Sequence, residues 1–112
     1  MSSRITDPDF LRQQCEGDDS LIRLMKVTFV ENAPNYASQI SSHFEQGNWK
    51  ELGRAAHGYL SSLNIVGARD LVRMASRIEE ICIRNEGLEE LDSLVKNVIR
   101  DTELAISELR EG

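Results

Sequence analysis

Apolar residues recur every three or four positions along most of this chain, the spacing that places side chains on one face of an α-helix. The clearest example is the stretch 50–68, KELGRAAHGYLSSLNIVGA. Its apolar face holds Leu52, Ala56, Tyr59 and Leu63, with Ala55 and Leu60 at the edges. Only two prolines and seven glycines interrupt the 112 residues. The pattern therefore predicts an all-α fold.

Capping and breaking residues divide the first half of the chain. Asp7, followed by Pro8, predicts a short first helix that runs to about residue 16. A second helix is expected to start at residue 18 or 19, and Pro34 lies inside its apolar stripe. The stripe keeps its phase across the proline, so we expect one kinked helix that ends before Gly47. The stripe comprises Leu21, Leu24, Met25, Phe29, Ala33, Tyr36, Ala37, Ile40 and Phe44.

Three more helices follow. The central helix is expected to begin after a cap at Asn48 and to end near residue 64. The next should run from about 68 to 86 and end at Gly87, and the last from about 88 to 109. Links of a few residues between long amphipathic helices imply antiparallel neighbours. We therefore predict one domain, residues 1–112, folded as an up-down four-helix bundle with an additional short N-terminal helix.

Composition and charge exclude several function classes. A net charge of −6 argues against nucleic-acid binding, which needs an excess of Lys and Arg. No apolar run approaches the roughly 20 residues of a membrane span, and the N-terminus lacks the apolar core of a signal peptide. We therefore expect a cytoplasmic protein with no membrane contact. Cys15 and Cys82 are too few for a disulfide framework or a zinc site, and we expect Cys82 to be a small core residue.

A second, polar row follows the same spacing along the central helix: Lys50, Arg54, His57, Ser61 and Asn64. It places a histidine mid-helix, one turn from an arginine and one turn from a serine. Helices seldom use histidine on an exposed face, because Lys, Glu, Gln and Arg are better helix formers. His57 is therefore a candidate functional residue.

The sequence lacks residues that three types of active site require. A nucleophilic triad on Ser61 would need a glycine-rich elbow or an oxyanion nest, and neither accompanies it. A diiron bundle needs Glu three residues before each histidine, but Ile40 precedes His43 and Arg54 precedes His57 in that position. The chain also has no glycine-rich phosphate loop. No metal site, bound cofactor or kinase activity of its own is therefore expected.

A neutral imidazole can itself be the nucleophile, because histidine titrates at about pH 6.5 and then has a free lone pair. Attack on a phosphoryl group gives a phosphoramidate. This chemistry requires an exposed histidine, a rigid platform and a nearby cation, since phosphoryl transfer depends mostly on positioning and electrostatics. His57 with Arg54 meets these requirements, and Mg²⁺ could come from the partner.

The arrangement resembles the histidine-containing phosphotransfer (HPt) domain of bacterial multistep phosphorelays over nearly the whole chain. Ala56-His57, Ser62, Gly67 and Ala68 match the family pattern A-H-x-L-K-G-S-[SA]-x-x-[LV]-G-A in type and spacing. The resemblance implies that His57 is the phosphoacceptor. It also implies response-regulator receiver domains as partners, with Mg²⁺ on the receiver, and a hybrid sensor histidine kinase as a further candidate. A monomer suffices for this chemistry.

Several positions depart from the family pattern. Leu60 stands where the family has lysine, and Ser61 where it has glycine. Glu79 replaces a glutamine that supports the phosphohistidine in some members, and its carboxylate should weaken retention of a phosphoryl group. Arg54 is our hypothesis for the replacement of the lysine, with Ser61 as a second phosphate-supporting residue. Lys50, Arg73 and Arg77 are more distant candidates.

Two function classes follow from these matches and departures. The first is a phosphorelay intermediate in which His57 takes a phosphoryl group from one receiver aspartate and passes it to another. The second is a degenerate HPt-like module that binds a receiver or another partner without carrying phosphate, and Leu60, as apolar area beside the histidine, favours it. An unrelated helical scaffold is disfavoured by the family pattern. In either of the first two classes the docking face should include Lys50, Gly58, Leu60, Ser61 and Asn64.

Overall fold

The computed structural model describes residues 4–111, which form helices and connecting turns without a β-strand. The elements in chain order are α1 (Pro8–Gln14), α2 (Asp19–Gln46), α3 (Trp49–Ile65), α4 (Arg69–Arg84), a 3₁₀ turn (Leu88–Glu90) and α5 (Leu91–Glu111). The four long helices pack as α2 against α3 and α5, and α4 against α3 and α5. The predicted all-α four-helix bundle with a short N-terminal helix is confirmed.

The short helix α1 starts as its sequence predicts and lies across the end of α3. The Asp7 carboxylate accepts hydrogen bonds from the backbone N–H groups of Asp9 and Phe10, as a helix N-cap does. The Asp7 backbone N–H donates to the Val66 carbonyl at 2.9 Å. At the α3–α4 turn, Gly67 has φ +67°, and a Cβ there would lie 2.7 Å from the Asp7 Cβ. Only glycine permits both this turn and the close approach of α1.

Helix α2 is continuous through Pro34, as predicted, and ends at Gly47 in the left-handed conformation. The prediction for its first turns was wrong: Leu21 and Leu24 are exposed, although the periodicity assigned them to the core. Helix α1 is only seven residues long and packs on α3, so it does not cover these turns. The buried stripe of α2 begins at Phe29 and continues through Ala33 and Ile40.

The core lies between α3 and the three other long helices. Tyr59 is fully buried at its centre, stacked on Tyr36 with ring centroids 4.9 Å apart. Its hydroxyl makes a 3.0 Å hydrogen bond with the Thr102 hydroxyl of α5, so the buried phenol has a polar partner. Burial raises the pKa of Tyr59 to about 12. The α3 helix is thereby held between α2 and α5, and its opposite face remains in solvent.

Some predicted boundaries differ from the structure. Helix α1 ends at Gln14 and not at residue 16. Helix α4 ends at Arg84, with Asn85 at φ +56° as its C-cap in place of Gly87. Asparagine tolerates this left-handed conformation, so the helix stops two residues early. A 3₁₀ turn then precedes α5. Asn48 is the N-cap of α3 by backbone position, but its side chain makes no capping hydrogen bond.

No helix among the described residues is long and apolar enough to cross a membrane. The same residues contain no group of three or more His, Cys, Asp or Glu side chains that could hold a metal ion. Cys15 is buried and Cys82 half-buried, both as free thiols.

Candidate functional site

The polar row of α3 lies on the solvent-exposed side of the bundle. Lys50, Arg54, His57, Ser61 and Asn64 are all exposed, as their spacing predicts. The row sits on a firm base, because the opposite face of α3 is fully buried at Leu52, Ala56, Tyr59 and Leu63. The histidine is thus presented from the middle of a 17-residue helix, away from frayed ends. This meets the requirement for a rigid, exposed platform.

The contact that defines the site joins His57 to the next helix. Nδ1 of His57 lies 2.7 Å from Oε2 of Glu79 on α4. A carboxylate this close to Nδ1 favours the tautomer that is protonated on Nδ1, in which Nε2 carries the lone pair. The His57 side chain is 69% exposed, whereas Glu79 is 25% exposed, so the carboxylate is largely shielded from solvent and the imidazole is not.

The position of Glu79 changes the expectation drawn from the sequence. The carboxylate was expected to repel a phosphoryl group on His57. It contacts Nδ1, however, and the repulsion therefore concerns a phosphoryl group on Nδ1 and not one on the opposite nitrogen, Nε2. For Nε2 the negative charge is favourable, because attack by Nε2 develops positive charge on the ring.

The cations near His57 come from the N-terminal half of α3. Lys50 and Arg54 line the same surface groove as His57, and Arg54 Nη1 pairs with Glu51 at 3.3 Å in an exposed contact. Such surface pairs are weak, so the guanidinium can leave its partner at little cost. Arg73 and Arg77, the more distant candidates, line a different groove and pair with Asp70, Glu80 and Glu90.

The groove beside His57 has a volume of about 430 Å³ and runs between α3 and α4. Its wall on α4 is formed by Glu79, Cys82 and Ile83. A Cβ on Gly53 would lie 2.9 Å from the Cys82 Cβ, so the absent side chain lets the two helices approach. Cys82 is half-buried and packs against the edge of the core, whereas its neighbour Ile81 is fully buried. Burial still raises the pKa of the Cys82 thiol, which makes it a poor nucleophile.

The other predicted docking residues differ in exposure: Gly58, Ser61 and Asn64 are exposed, whereas Leu60 is half-buried. Ser61 and Asn64 continue the exposed row, and the Asn64 amide donates to the Leu60 carbonyl at 3.0 Å. Leu60 is half-buried against the core, so it adds less apolar surface than expected. Gly58 is exposed on the α2 side of α3, where a Cβ would lie 3.5 Å from the Tyr36 ring. That is ordinary contact distance, and the site does not require glycine there for space.

The family model for the Hpt domain matches residues 25–112. This chain belongs to the Hpt domain family. The fold agrees with this: the crystal structure of histidine-containing phosphotransfer protein B (HptB) from Pseudomonas aeruginosa PAO1 superposes with a TM-score of 0.86 at 19% identity, covering 98% of this chain and 95% of that chain. A comparison with curated protein sequences finds no match.

Membership assigns this Hpt domain a role in histidine phosphotransfer within phosphorelays, the signalling systems in which such domains interact with receiver domains. The family predicted from Ala56-His57, Gly67 and Ala68 is therefore confirmed. The matched region contains α3 and α4 whole, and with them His57 and Glu79. Helix α1 and the first turns of α2 precede it.

Three residues of the groove could not be assigned to it from the sequence. The sequence indicates Glu79 only as a replacement for glutamine, and Cys82 only as a core residue. A single exposed isoleucine such as Ile83 carries no sequence signal. The one available hint was that Glu79 and Ile83 are spaced by four residues and share a helix face.

Proposed function

We propose that His57 accepts a phosphoryl group on Nε2 from the phosphoaspartate of one receiver domain and passes it to the aspartate of another. The observation that carries this proposal is the 2.7 Å contact between Nδ1 and Glu79 on a ring that is 69% exposed. A proton kept on Nδ1 leaves the lone pair on Nε2, and a largely exposed ring is accessible to a phosphoryl donor, and a nucleophile needs both. The position of His57 in the family pattern supports the same residue.

The proposed transfer needs no reactant other than His57 and the phosphorylated receiver domain. The Nε2 lone pair forms the N–P bond while the bond between phosphorus and the aspartyl oxygen breaks, and the aspartate leaves as a carboxylate. The Glu79 carboxylate beside Nδ1 would stabilise the positive charge that develops on the imidazole. The reverse reaction regenerates the neutral imidazole. Mg²⁺ is expected on the receiver domain, and we propose no cofactor bound by this chain.

Arg54 and Ser61 are proposed to support the phosphoryl group. Each lies one helical turn from His57 on the same exposed face. Arg54 would exchange its surface contact with Glu51 for the phosphoryl oxygens, a contact that guanidinium groups favour. The Ser61 hydroxyl could donate from the other side. Arg54→Ala should accept phosphate more slowly, by roughly tenfold for one lost charged hydrogen bond, whereas Arg73→Ala, in the other groove, should not change the rate.

The central test is labelling of His57 itself. Wild type, His57→Gln and His43→Gln would be incubated with ³²P-phosphorylated receiver domains and Mg²⁺. His43 is the other histidine of the chain, so His43→Gln is the matched control. We expect acid-labile, base-stable label on wild type and on His43→Gln, and none on His57→Gln. Label that persists on His57→Gln would refute the assignment.

The same experiment distinguishes the alternative, a degenerate Hpt-like module that binds a receiver without carrying phosphate. Leucine in place of lysine at position 60 is the observation that favours it. A folded wild type that binds receivers but remains unlabelled would establish this alternative. Binding would then be measured by titration of the same receiver domains.

A further inference from the structure

The groove between α3 and α4 continues from His57 to an exposed apolar side chain. Ile83 is 74% exposed, more than any other large aliphatic residue in the part of the chain that the structure describes. It lines the same groove as His57, Lys50 and Arg54. Its neighbours on the outer side of α4, Glu80 and Arg84, are charged and exposed. A bulky β-branched side chain at this position is therefore not explained by packing within the chain or by helix propensity.

Ile83 lies close to the reacting atoms. It follows Glu79 by four residues, which is one helical turn or about 6 Å along α4, and Glu79 contacts His57 directly. A phosphoaspartate can reach His57 only when the surface around it covers this end of the groove. Even a small protein interface of about 600 Å² per partner is roughly 30 Å across. Any partner centred on His57 therefore also covers Ile83.

The cationic residues that line the groove are complementary to the carboxylates of a receiver domain. Lys50 and Arg54 line it on the α3 side, in a chain whose net charge is −6. A receiver domain presents carboxylates at its phosphorylation site, and these attract a cationic rim. Ile83 adds an apolar side chain beside these cations, and a docked partner that buries it removes apolar surface from water, which favours binding.

We propose that the receiver domain docks along the α3–α4 groove with Ile83 as its apolar anchor, so that α4 and not only α3 determines which receivers are recognised. The proposal rests on the proposed function, since it takes a receiver domain as the occupant. It adds a residue that neither the sequence pattern nor the polar row of α3 includes. It also predicts a separation of effects: Ile83 contributes to binding and not to the chemical step.

The test compares Ile83→Ser with Leu104→Ser. Leu104 is 48% exposed on α5 and does not line the groove, so it is a matched apolar control. The probe is the receiver domain that labels the wild type fastest. Ile83→Ser should raise the Kd for that receiver about tenfold, while the transfer rate at saturating receiver stays within about twofold of wild type. Leu104→Ser should change neither quantity.

Each other outcome contradicts the proposal in a distinguishable way. An unchanged Kd for Ile83→Ser, with normal labelling of wild type, overturns the anchor and leaves the proposed function intact. Equal losses in both variants would show a general surface effect and also overturn the anchor. If no receiver labels or binds the wild type, the proposed function fails and the anchor fails with it. Circular dichroism of each variant confirms that the helices are retained.

Discussion

Removal of the Glu79 carboxylate should slow phosphotransfer while leaving the fold intact. In the structure Oε2 of Glu79 holds Nδ1 of His57 at 2.7 Å, in a pair whose side chains are 25% and 69% exposed. Because the pair is partly in solvent, its loss should change the free energy of unfolding by only about 0–1 kcal/mol. Its effect on the reaction should be larger, because the carboxylate both selects the tautomer and neutralises the ring as the N–P bond forms.

The expected magnitude follows from comparable cases. Carboxylates that orient metal-bound histidines typically contribute 10- to 100-fold, which as an analogy corresponds to about 1.4–2.7 kcal/mol of activation free energy. Glu79→Ala should therefore slow transfer from a phosphorylated receiver by roughly 10- to 100-fold. Glu79→Gln should lose less, roughly tenfold or below, since an amide oxygen still accepts from Nδ1–H but carries no charge. The control is Glu80→Gln, because Glu80 pairs with Arg77 and not with His57.

Two measurements test this reasoning together. Single-turnover transfer of ³²P gives the rate, and the ring ¹⁵N resonances of the two histidines report their tautomers. In wild type His57 should be protonated on Nδ1, and in Glu79→Ala it should shift toward protonation on Nε2, while His43 provides the internal reference. A wild-type rate in Glu79→Ala would refute the catalytic part. A slow rate with an unchanged tautomer would refute the orienting part.

Three predictions concern stability and are checked by urea unfolding. Burial raises the pKa of Glu108, but its hydrogen bonds from the backbone N–H groups of residues 5 and 6 and from the Thr6 hydroxyl outweigh this and lower the pKa below the ordinary glutamate value. Glu108→Gln should therefore lower the free energy of unfolding by about 1–3 kcal/mol at pH 7. The difference in free energy between wild type and variant should shrink as the pH falls through that lowered pKa. A difference that does not change with pH would contradict this prediction. Tyr59→Phe leaves the buried Thr102 hydroxyl without its 3.0 Å partner and should cost about 1 kcal/mol, so an unchanged midpoint would show that the bond contributes nothing. Gly53→Val forces α3 and α4 apart and should cost about 1–3 kcal/mol and slow phosphotransfer, and wild-type values in both assays would argue against a close approach.

Capping and helix-breaking residues predicted the helix boundaries that a single residue determines. Asp7 and Asp18 cap α1 and α2 with their side chains, and Gly47 ends α2 in the left-handed conformation. The end of α4 was missed because Asn85 and Gly87 both permit positive φ, and local rules favour glycine. Such a choice depends on the packing of the following turn, which a single sequence does not encode locally.

Part of the site also follows from local sequence information, and part depends on contacts between distant residues. The exposed row of α3 depends only on helix periodicity, so Lys50, Arg54 and His57 could be placed together from the sequence. The partnership of His57 with Glu79 depends on how α4 is rotated against α3. That rotation depends on the contact of Gly53 with Cys82, 29 positions away in sequence. No periodicity within one helix specifies a contact of this kind.

The geometry around His57 gives another explanation for Leu60 and Ser61 than the loss of functional groups. Leu60 packs against the core, and the cations of the site lie on the other side of His57, at Lys50 and Arg54. The cation expected after the histidine thus has possible replacements before it, whereas Gly53 is buried against Cys82 and does not replace the glycine. A module that only binds its partner would gain little from a carboxylate held against Nδ1, because so exposed a pair stabilises the fold by about 0–1 kcal/mol. In the proposed phosphotransfer the pair would orient Nε2 toward the phosphoryl group, and this role is our reason to prefer the active Hpt domain over the binding-only alternative.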